Sequence, residues 1–306
     1  MGSHTKPNSR GATTPLSPRL ALQLAAPHTW PAAIMPVLVA AACALANTGS
    51  LDVGMAWLLL LICILMQASV NTFNDYFDFI KGTDTAEDNV EASDSVLVYN
   101  DVNPRSALGL AIGFLTVAFL LGLYVVWKTG PVPLVIALIG AVIVVMYSGG
   151  KTPLSYLPVG EAVSGIVMGG LIPLACYQVL SGTFTFMALL WATPTIIGVG
   201  LIMMTNNTCD IEKDIEASRR TLPVLLGREK ARTLYHALMV VWVLAIIGIW
   251  FPRGIVVLPF LALGCYPLMM GLWKNPLAAP TRIGAMGQIC SVNVALGAFY
   301  AAALLL

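Results

Sequence analysis

The chain has 306 residues, of which 58% are hydrophobic and only 10% charged, with a mean hydropathy of +0.83. Soluble domains are roughly half apolar and about a quarter charged, so this composition excludes a water-soluble protein and describes an integral membrane protein. The formal net charge of +1 points to no partner by itself, and none is expected among nucleic acids.

Residues 1–22 are polar, carry Pro7, Gly11, Pro15 and Pro18, and lack the apolar core of a cleavable signal, so they are expected to be a disordered segment. Residues 23–306 are expected to form one transmembrane domain. A spanning helix needs about 20 mostly apolar residues. Roughly nine such stretches follow one another, near 28–48, 54–78, 106–127, 131–148, 160–180, 186–206, 233–250, 254–273 and 283–305. The fold class is therefore an all-α membrane protein, expected to gather nine transmembrane helices around a central cavity that opens to the cytoplasmic face. Pro173 and Pro194 fall inside the fifth and sixth stretches and are expected to kink them. Gly165 and Gly169 lie four residues apart and would let a neighbouring helix approach closely.

Orientation follows from the 16 basic residues. With the N-terminus in the cytoplasm, that face receives all but Lys128 and Arg253, and every acidic residue except Asp52 joins them. A cytoplasmic (inner) membrane location with a cytoplasmic N-terminus is expected. The cytoplasmic loops are the long ones. One, near 79–105, is acidic but interrupted by the apolar patch Val96-Leu97-Val98-Tyr99, and its residues 84–103 are expected to act as a lid. Another, near 149–159, holds Lys151 directly after Tyr147-Ser148-Gly149-Gly150. Five of the six cysteines sit in apolar stretches with no CxxC pair, so no structural disulfide is expected.

Two acidic clusters stand out against this apolar background. The first, Asn71-Thr72-Phe73-Asn74-Asp75-Tyr76-Phe77-Asp78, closes the second stretch and leads to Gly82 and Asp84. The second, Asn206-Asn207-Thr208-Cys209-Asp210-Ile211-Glu212-Lys213-Asp214, closes the sixth. Residues four and seven apart share a helix face, so Asn71, Asp75 and Asp78 form one polar stripe with Asn74 beside it. Asn206, Asp210 and Asp214 form another, with Asn207 adjacent. An Asn/Asp-rich helix end is often a cap or a solvated terminus, but two matched clusters on one membrane face point to a shared polar cavity. Ionised carboxylates gathered there repel one another unless a cation neutralises them. Oxygen ligands without histidine favour a hard ion, and Mg²⁺ suits a site where diphosphate oxygens complete its shell. Lys151, Arg219 and Arg220 are the expected ligands of those oxygens, with Tyr147 alongside.

These residues resemble the UbiA superfamily of intramembrane prenyltransferases. The family's Asn-Asp-x-x-Asp motif reads Asn74-Asp75-Tyr76-Phe77-Asp78 here, and its Asp-x-x-x-Asp motif reads Asp210-Ile211-Glu212-Lys213-Asp214. The chain is most similar to the branch that prenylates 1,4-dihydroxy-2-naphthoate. It matches that branch at Gly82 and Asp84, at Tyr156-Leu157-Pro158-Val159-Gly160-Glu161, and at Thr221-Leu222-Pro223-Val224-Leu225-Leu226-Gly227. It departs at Cys209, where the branch carries Arg, at Ser218, where it carries Gly, and at Ala26-Pro27, where it carries Arg-Pro. The resemblance implies a Mg²⁺-dependent enzyme of the lipid bilayer. Its substrates would be a polyprenyl diphosphate and an aromatic acceptor, 1,4-dihydroxy-2-naphthoate or, as an alternative, 4-hydroxybenzoate. Asp75, Asp78, Asp210 and Asp214 would hold the metal, with Asn71, Asn74, Asn206 and Asn207 assisting. A cation- or proton-coupled transporter is the reading from another class; it would want carboxylates at the bilayer midplane rather than at one face.

Overall fold

The computed structural model describes residues 15–81, 96–100, 102–148, 152–250 and 258–306. Among them the regular structure is helical throughout, with no β-strand. The helices are α1 (Pro18–Leu24), α2 (Pro31–Thr48), α3 (Val53–Lys81), α4 (Val96–Tyr99), α5 (Pro104–Thr129), α6 (Val132–Ser148), α7 (Gly160–Ile166) and α8 (Ile172–Ser181). They continue with α9 (Met187–Trp191), α10 (Thr193–Cys209), α11 (Ile211–Glu216), α12 (Leu222–Leu226), α13 (Arg228–Trp250), α14 (Leu258–Lys274) and α15 (Arg282–Ala303).

Each of the nine apolar stretches is mostly helical over its described residues, yet only six helical segments among them are long and apolar enough to cross a bilayer. They are Pro31–Thr48, Val53–Phe77, Pro104–Thr129, Gly160–Ser181, Arg228–Ile249 and Ala279–Ala303, with a shorter apolar helix at Val132–Tyr147. The chain is a multi-pass membrane protein. The sixth stretch is divided because the backbone turns at Ala192, where Pro194 begins α10 as one of its first two residues. There a missing N–H removes no helical bond. Pro173 instead lies inside a helix that runs without a break from Gly160 to Ser181, directly after a π-helical turn over Val167–Leu171. The expected kink at Pro194 is thus a helix start, whereas at Pro173 a continuous helix carries an irregular turn. The chain is helical from Pro18, inside the segment expected to be disordered, while residues 1–14 lie outside the described residues.

Contacts divide the chain into two compact units, Met1–Trp30 with Ile62–Leu120, and Pro31–Leu61 with Leu121–Leu306. In the first, the apolar patch that interrupts the acidic loop becomes α4. Val96 and Leu97 are buried with Leu24, Val102 and Ala107, and Tyr76 and Phe79 pack against them. Burying each of the larger side chains contributes roughly 1.5–3 kcal/mol, which is why four apolar residues in a charged loop fold onto the protein. Ser69 Oγ donates to Ala111 O (2.8 Å) and Thr72 Oγ1 to Leu24 O (3.2 Å), fastening α3 to α5 and α1.

In the second unit, α10 packs against α7, α13 and α15, while α2 packs against α8 and α15. Trp242, Tyr235, Tyr300, Met204, Met239 and Leu296 are fully buried there. Three of the buried polar groups are paired as a low-dielectric interior favours. Tyr300 donates to Trp191 O (2.7 Å), the Tyr235 hydroxyl lies 2.7 Å from Thr205 Oγ1, and Asn293 Nδ2 donates to Gly198 O (2.9 Å). All six cysteines are free thiols.

Candidate functional site

The first acidic cluster lies on the last turns of α3, in the first unit. Asn71 is engaged by the protein. Its Nδ2 donates to Ala25 O (3.1 Å) and Thr29 Oγ1 (2.8 Å), and its Oδ1 accepts from Gln67 Nε2 (3.2 Å). It therefore fixes the turn between α1 and α2. Asn74, on another face, is exposed. Asp75 is buried, and its carboxylate accepts from the backbone N–H of Val96 (2.7 Å) and Leu97 (3.2 Å), which caps α4 from 21 residues away. The side chain of Asp78, Gly82, Asp84 and most of the expected lid (residues 84–95 and 101) lie outside the described residues, as does Lys151.

The second cluster straddles a break in the helix at Asp210, whose φ of −98° and ψ of 16° separate α10 from α11. Arg282, at the start of α15, binds both halves of the stripe: Nη2 donates to Asn206 Oδ1 (2.6 Å) and Nε lies 3.2 Å from the Asp210 carboxylate. Asp214 is 2% exposed. One oxygen accepts from Thr221 Oγ1 (3.1 Å) and the other lies 3.4 Å from Arg219 Nη1. Burial pushes the Asp214 carboxyl up, against the Arg219 guanidinium and the Thr221 hydrogen bond, which pull it down. Arg219 lies 4.8 Å above the Tyr156 ring, and its Nε has no hydrogen-bond partner among the described residues. The exposed Arg220 is anchored by its backbone N–H, which donates to Tyr156 O (2.8 Å). The tight return of the chain between Asp214 and Arg219 runs through Ser218 at φ +57°, left-handed backbone that favours glycine. That accounts for the glycine of the resembling branch at this position.

Sequence reasoning passed over two members of this site. Arg282 stood among the basic residues only as a marker of topology. Glu161 appeared only inside a resembling segment, although a lone acid at the start of an apolar run is itself a signal. It is 5% exposed; Oε1 accepts from Asn207 Nδ2 (2.8 Å), while Oε2 is buried with no hydrogen-bond partner among the described residues. Tyr147 stands beside it: a Cβ added at Gly160 would lie 3.7 Å from its hydroxyl, and the charges bearing on it are Glu161, Arg219 and Asp214.

Among the described residues no three His, Cys, Asp or Glu side chains converge closely enough to enclose a metal ion. The donor set nonetheless suits a hard divalent cation, since the two clusters offer carboxylate and amide oxygens and no histidine.

Next to the cluster, Glu212 takes a two-pronged grip from Arg228, with Nη1–Oε1 at 2.7 Å and Nη2–Oε2 at 2.8 Å, and Arg228 Nε also donates to Leu277 O (3.0 Å). These hydrogen bonds hold the Glu212 carboxyl down at about 2. A depressed carboxyl stabilises the fold at pH values above its unfolded range, about 4.3, and that contribution is lost as pH falls toward 2. The Glu212 side chain is 62% exposed, so solvent screening keeps the effect below about 1 kcal/mol. Thermal unfolding of Glu212→Gln against the parent protein is expected to show a deficit at pH 7 that closes as pH falls to about 2. A deficit unchanged between the two pH values would refute the ion-pair account.

Residues 33–284 match the model of the UbiA prenyltransferase family. The chain is 34% identical over 227 residues to a 1,4-dihydroxy-2-naphthoate octaprenyltransferase of Bacillus subtilis, covering 74% of this chain and 72% of that one. It is 29% identical over 285 residues to a protein of the same name from Mycobacterium tuberculosis, covering 90% and 94%. Among solved structures, a UbiA homolog from Archaeoglobus fulgidus bound to GPP and Mg²⁺ has a TM-score of 0.62 at 18% identity, covering 92% of this chain and 99% of that chain. At that identity the likeness concerns the fold.

Proposed function

We infer the substrates from one premise: this chain belongs to the UbiA prenyltransferase family and is a prenyltransferase. We propose that it transfers a polyprenyl group from its diphosphate to 1,4-dihydroxy-2-naphthoate, in menaquinone biosynthesis. The C–O bond to the diphosphate breaks, a bond forms from the prenyl carbon to the aromatic ring, and the ring carboxyl is lost. The reading is carried by two of the four buried polar atoms that lack a hydrogen-bond partner among the described residues, the Arg219 Nε donor and the Glu161 Oε2 acceptor. A diphosphate supplies acceptors and a hydroxylated ring supplies donors. The Bacillus subtilis and Mycobacterium tuberculosis relatives, both named for the naphthoate, support the choice of acceptor.

Asp75, Asp78, Asp210 and Asp214, assisted by Asn74, Asn206 and Asn207, would hold Mg²⁺, which when bound neutralises the departing diphosphate. Asn71 positions the first of these groups through the Ala25–Thr29 turn. Arg219, Arg220 and Lys151 bind diphosphate oxygens, with Tyr147 beside them, and such preorganised charges favour the leaving group over the intact ester. Arg282 holds Asn206 and Asp210 in register. The whole of residues 23–306 serves as one catalytic domain of nine crossings, with the N-terminus and the site on the cytoplasmic side of the inner membrane and the isoprenoid in an apolar tunnel. The bias of basic residues supports that orientation.

The test incubates detergent-solubilised protein with Mg²⁺, a labelled prenyl diphosphate, and either 1,4-dihydroxy-2-naphthoate or 4-hydroxybenzoate. Transfer to the naphthoate at least about tenfold faster is expected. Preference for 4-hydroxybenzoate would reassign the acceptor, and transfer to neither would end the reading.

A further inference from the structure

Glu161 is the least satisfied buried acid among the described residues. Its position is well determined by its neighbours. It sits in the first turn of α7, Asn207 on α10 faces it, and the Glu161 backbone carbonyl lies 3.4 Å from where a Cβ on Gly200 would stand. The Asn207 amide must present Nδ2 to the carboxylate, because its oxygen would meet another oxygen there. One half of the Glu161 carboxylate is therefore held by a neutral donor, and the other half, Oε2, is buried with no hydrogen-bond partner among the described residues. Buried acceptors are almost always paired, and an exception at a functional site marks a group kept for a ligand.

Two kinds of ligand answer an unpaired carboxylate oxygen, a cation or a hydrogen-bond donor. The cation proposed above has the aspartates of the two clusters as its ligands, and Glu161 belongs to neither cluster. Of the two organic substrates proposed above, the prenyl diphosphate offers only acceptor oxygens and would be repelled. The aromatic acceptor carries O–H donors. We propose that Glu161, through Oε2, binds a ring hydroxyl of the aromatic acceptor, with Asn207 positioning the carboxylate. The inference rests on the acceptor reading above and adds a residue that selects for a hydroxyl at a defined point of the ring. A hydroxyl donates to the carboxylate, whereas a methyl ether at the same place brings oxygen against oxygen and leaves both unpaired.

The experiment measures competitive inhibition by the two mono-methyl ethers of 1,4-dihydroxy-2-naphthoate, relative to the Km of the parent acceptor, in the full-length enzyme and in Glu161→Gln. The unaltered enzyme is expected to bind one ether at least about tenfold more weakly than the acceptor. In Glu161→Gln, whose amide N–H can face an ether oxygen, that ratio is expected to fall to within about threefold, with the Km for prenyl diphosphate changed less than twofold. Three results overturn the proposal: both ethers binding the unaltered enzyme as well as the acceptor does, a discrimination ratio unchanged by Glu161→Gln, or a raised Mg²⁺ requirement with that ratio intact. The first needs no variant, so a poorly folding Glu161→Gln leaves the proposal open to refutation. Absence of transfer to any aromatic ring by the unaltered enzyme is a separate failure, that of the acceptor reading itself.

Discussion

Asp210→Asn is expected to lower prenyl transfer by at least about 10²–10³-fold, the scale on which removal of one preorganised electrostatic group acts, while the protein remains folded. The separation of the two effects follows from how Asp210 is held. Its backbone N–H donates to Asn206 O (3.0 Å) and its carbonyl accepts from Asp214 N–H (2.8 Å), bonds that no side-chain change removes. Its carboxylate meets Arg282, and Asn206 still holds Arg282 when the charge is gone. Turnover measured beside the thermal midpoint tests this: activity within fivefold of the parent would show that the carboxylate does not act in the chemistry. Asp75 is expected to behave differently, because its two oxygens cap α4 and hold Val96 and Leu97 against Leu24. Asp75→Ala should lose turnover and also about 1 kcal/mol of stability, the usual worth of a cap.

The contrast between the two aspartates bears on what a sequence can reveal. The helical period made the shared face of Asn71 and Asp75 on α3 legible, because spacing of four residues fixes it, but it could not foresee the break at Asp210 inside the second stripe. The apolar stretches were legible for a similar reason, since bilayer thickness dictates their length. Hydrogen-bond partners distant in the chain were not legible. The run Val96-Leu97-Val98-Tyr99 could be seen as anomalous in an acidic loop, but its docking on α1 and its cap from Asp75 depend on chain reversal through more than 20 residues. Arg282 is 72 residues from Asp210 and 76 from Asn206, and Glu161 is 46 from Asn207. No local pattern connects such pairs. Pro194 was read as a kink because hydropathy alone cannot tell a continuous helix from two helices meeting at a turn, and proline is most at home at the start of the second.

The small residues of α7 and the π-helical turn connect this architecture to the site. Gly165 and Gly169 were expected to admit a neighbouring helix, and they do so against backbone. A Cβ at Gly165 would stand 2.6 Å from Ile196 O. One at Gly169 would overlap Thr195 O and stand 2.6 Å from the Ile196 N and Cα atoms. Thr195 Oγ1 meanwhile donates to Gly169 O at 2.6 Å, so the two segments are tied as well as close. Backbone cannot rotate aside as a flexible side chain can, so Gly169→Ala must push α10 away from the π-helical turn. Overpacking of this kind destabilises by about 1–3 kcal/mol, and here the upper end is expected because every obstructing atom belongs to main chain. Gly140→Ala in α6, where a Cβ meets nothing within 4 Å, is the matched control. It should be neutral or slightly stabilising, since alanine is the better helix former by about 1 kcal/mol. The displacement should also reach the chemistry. Gly165 follows Glu161 by one helical turn, and α10 carries Asn207, so widening the α7–α10 contact lengthens the Glu161–Asn207 hydrogen bond and tilts Asn206 and Asp210 away from Arg282. Gly169→Ala is therefore expected to lower both the thermal midpoint and the turnover of the protein that remains folded, whereas Gly140→Ala changes neither. Equal midpoints for the two variants would mean that the close approach of α10 to this turn does not hold the site together.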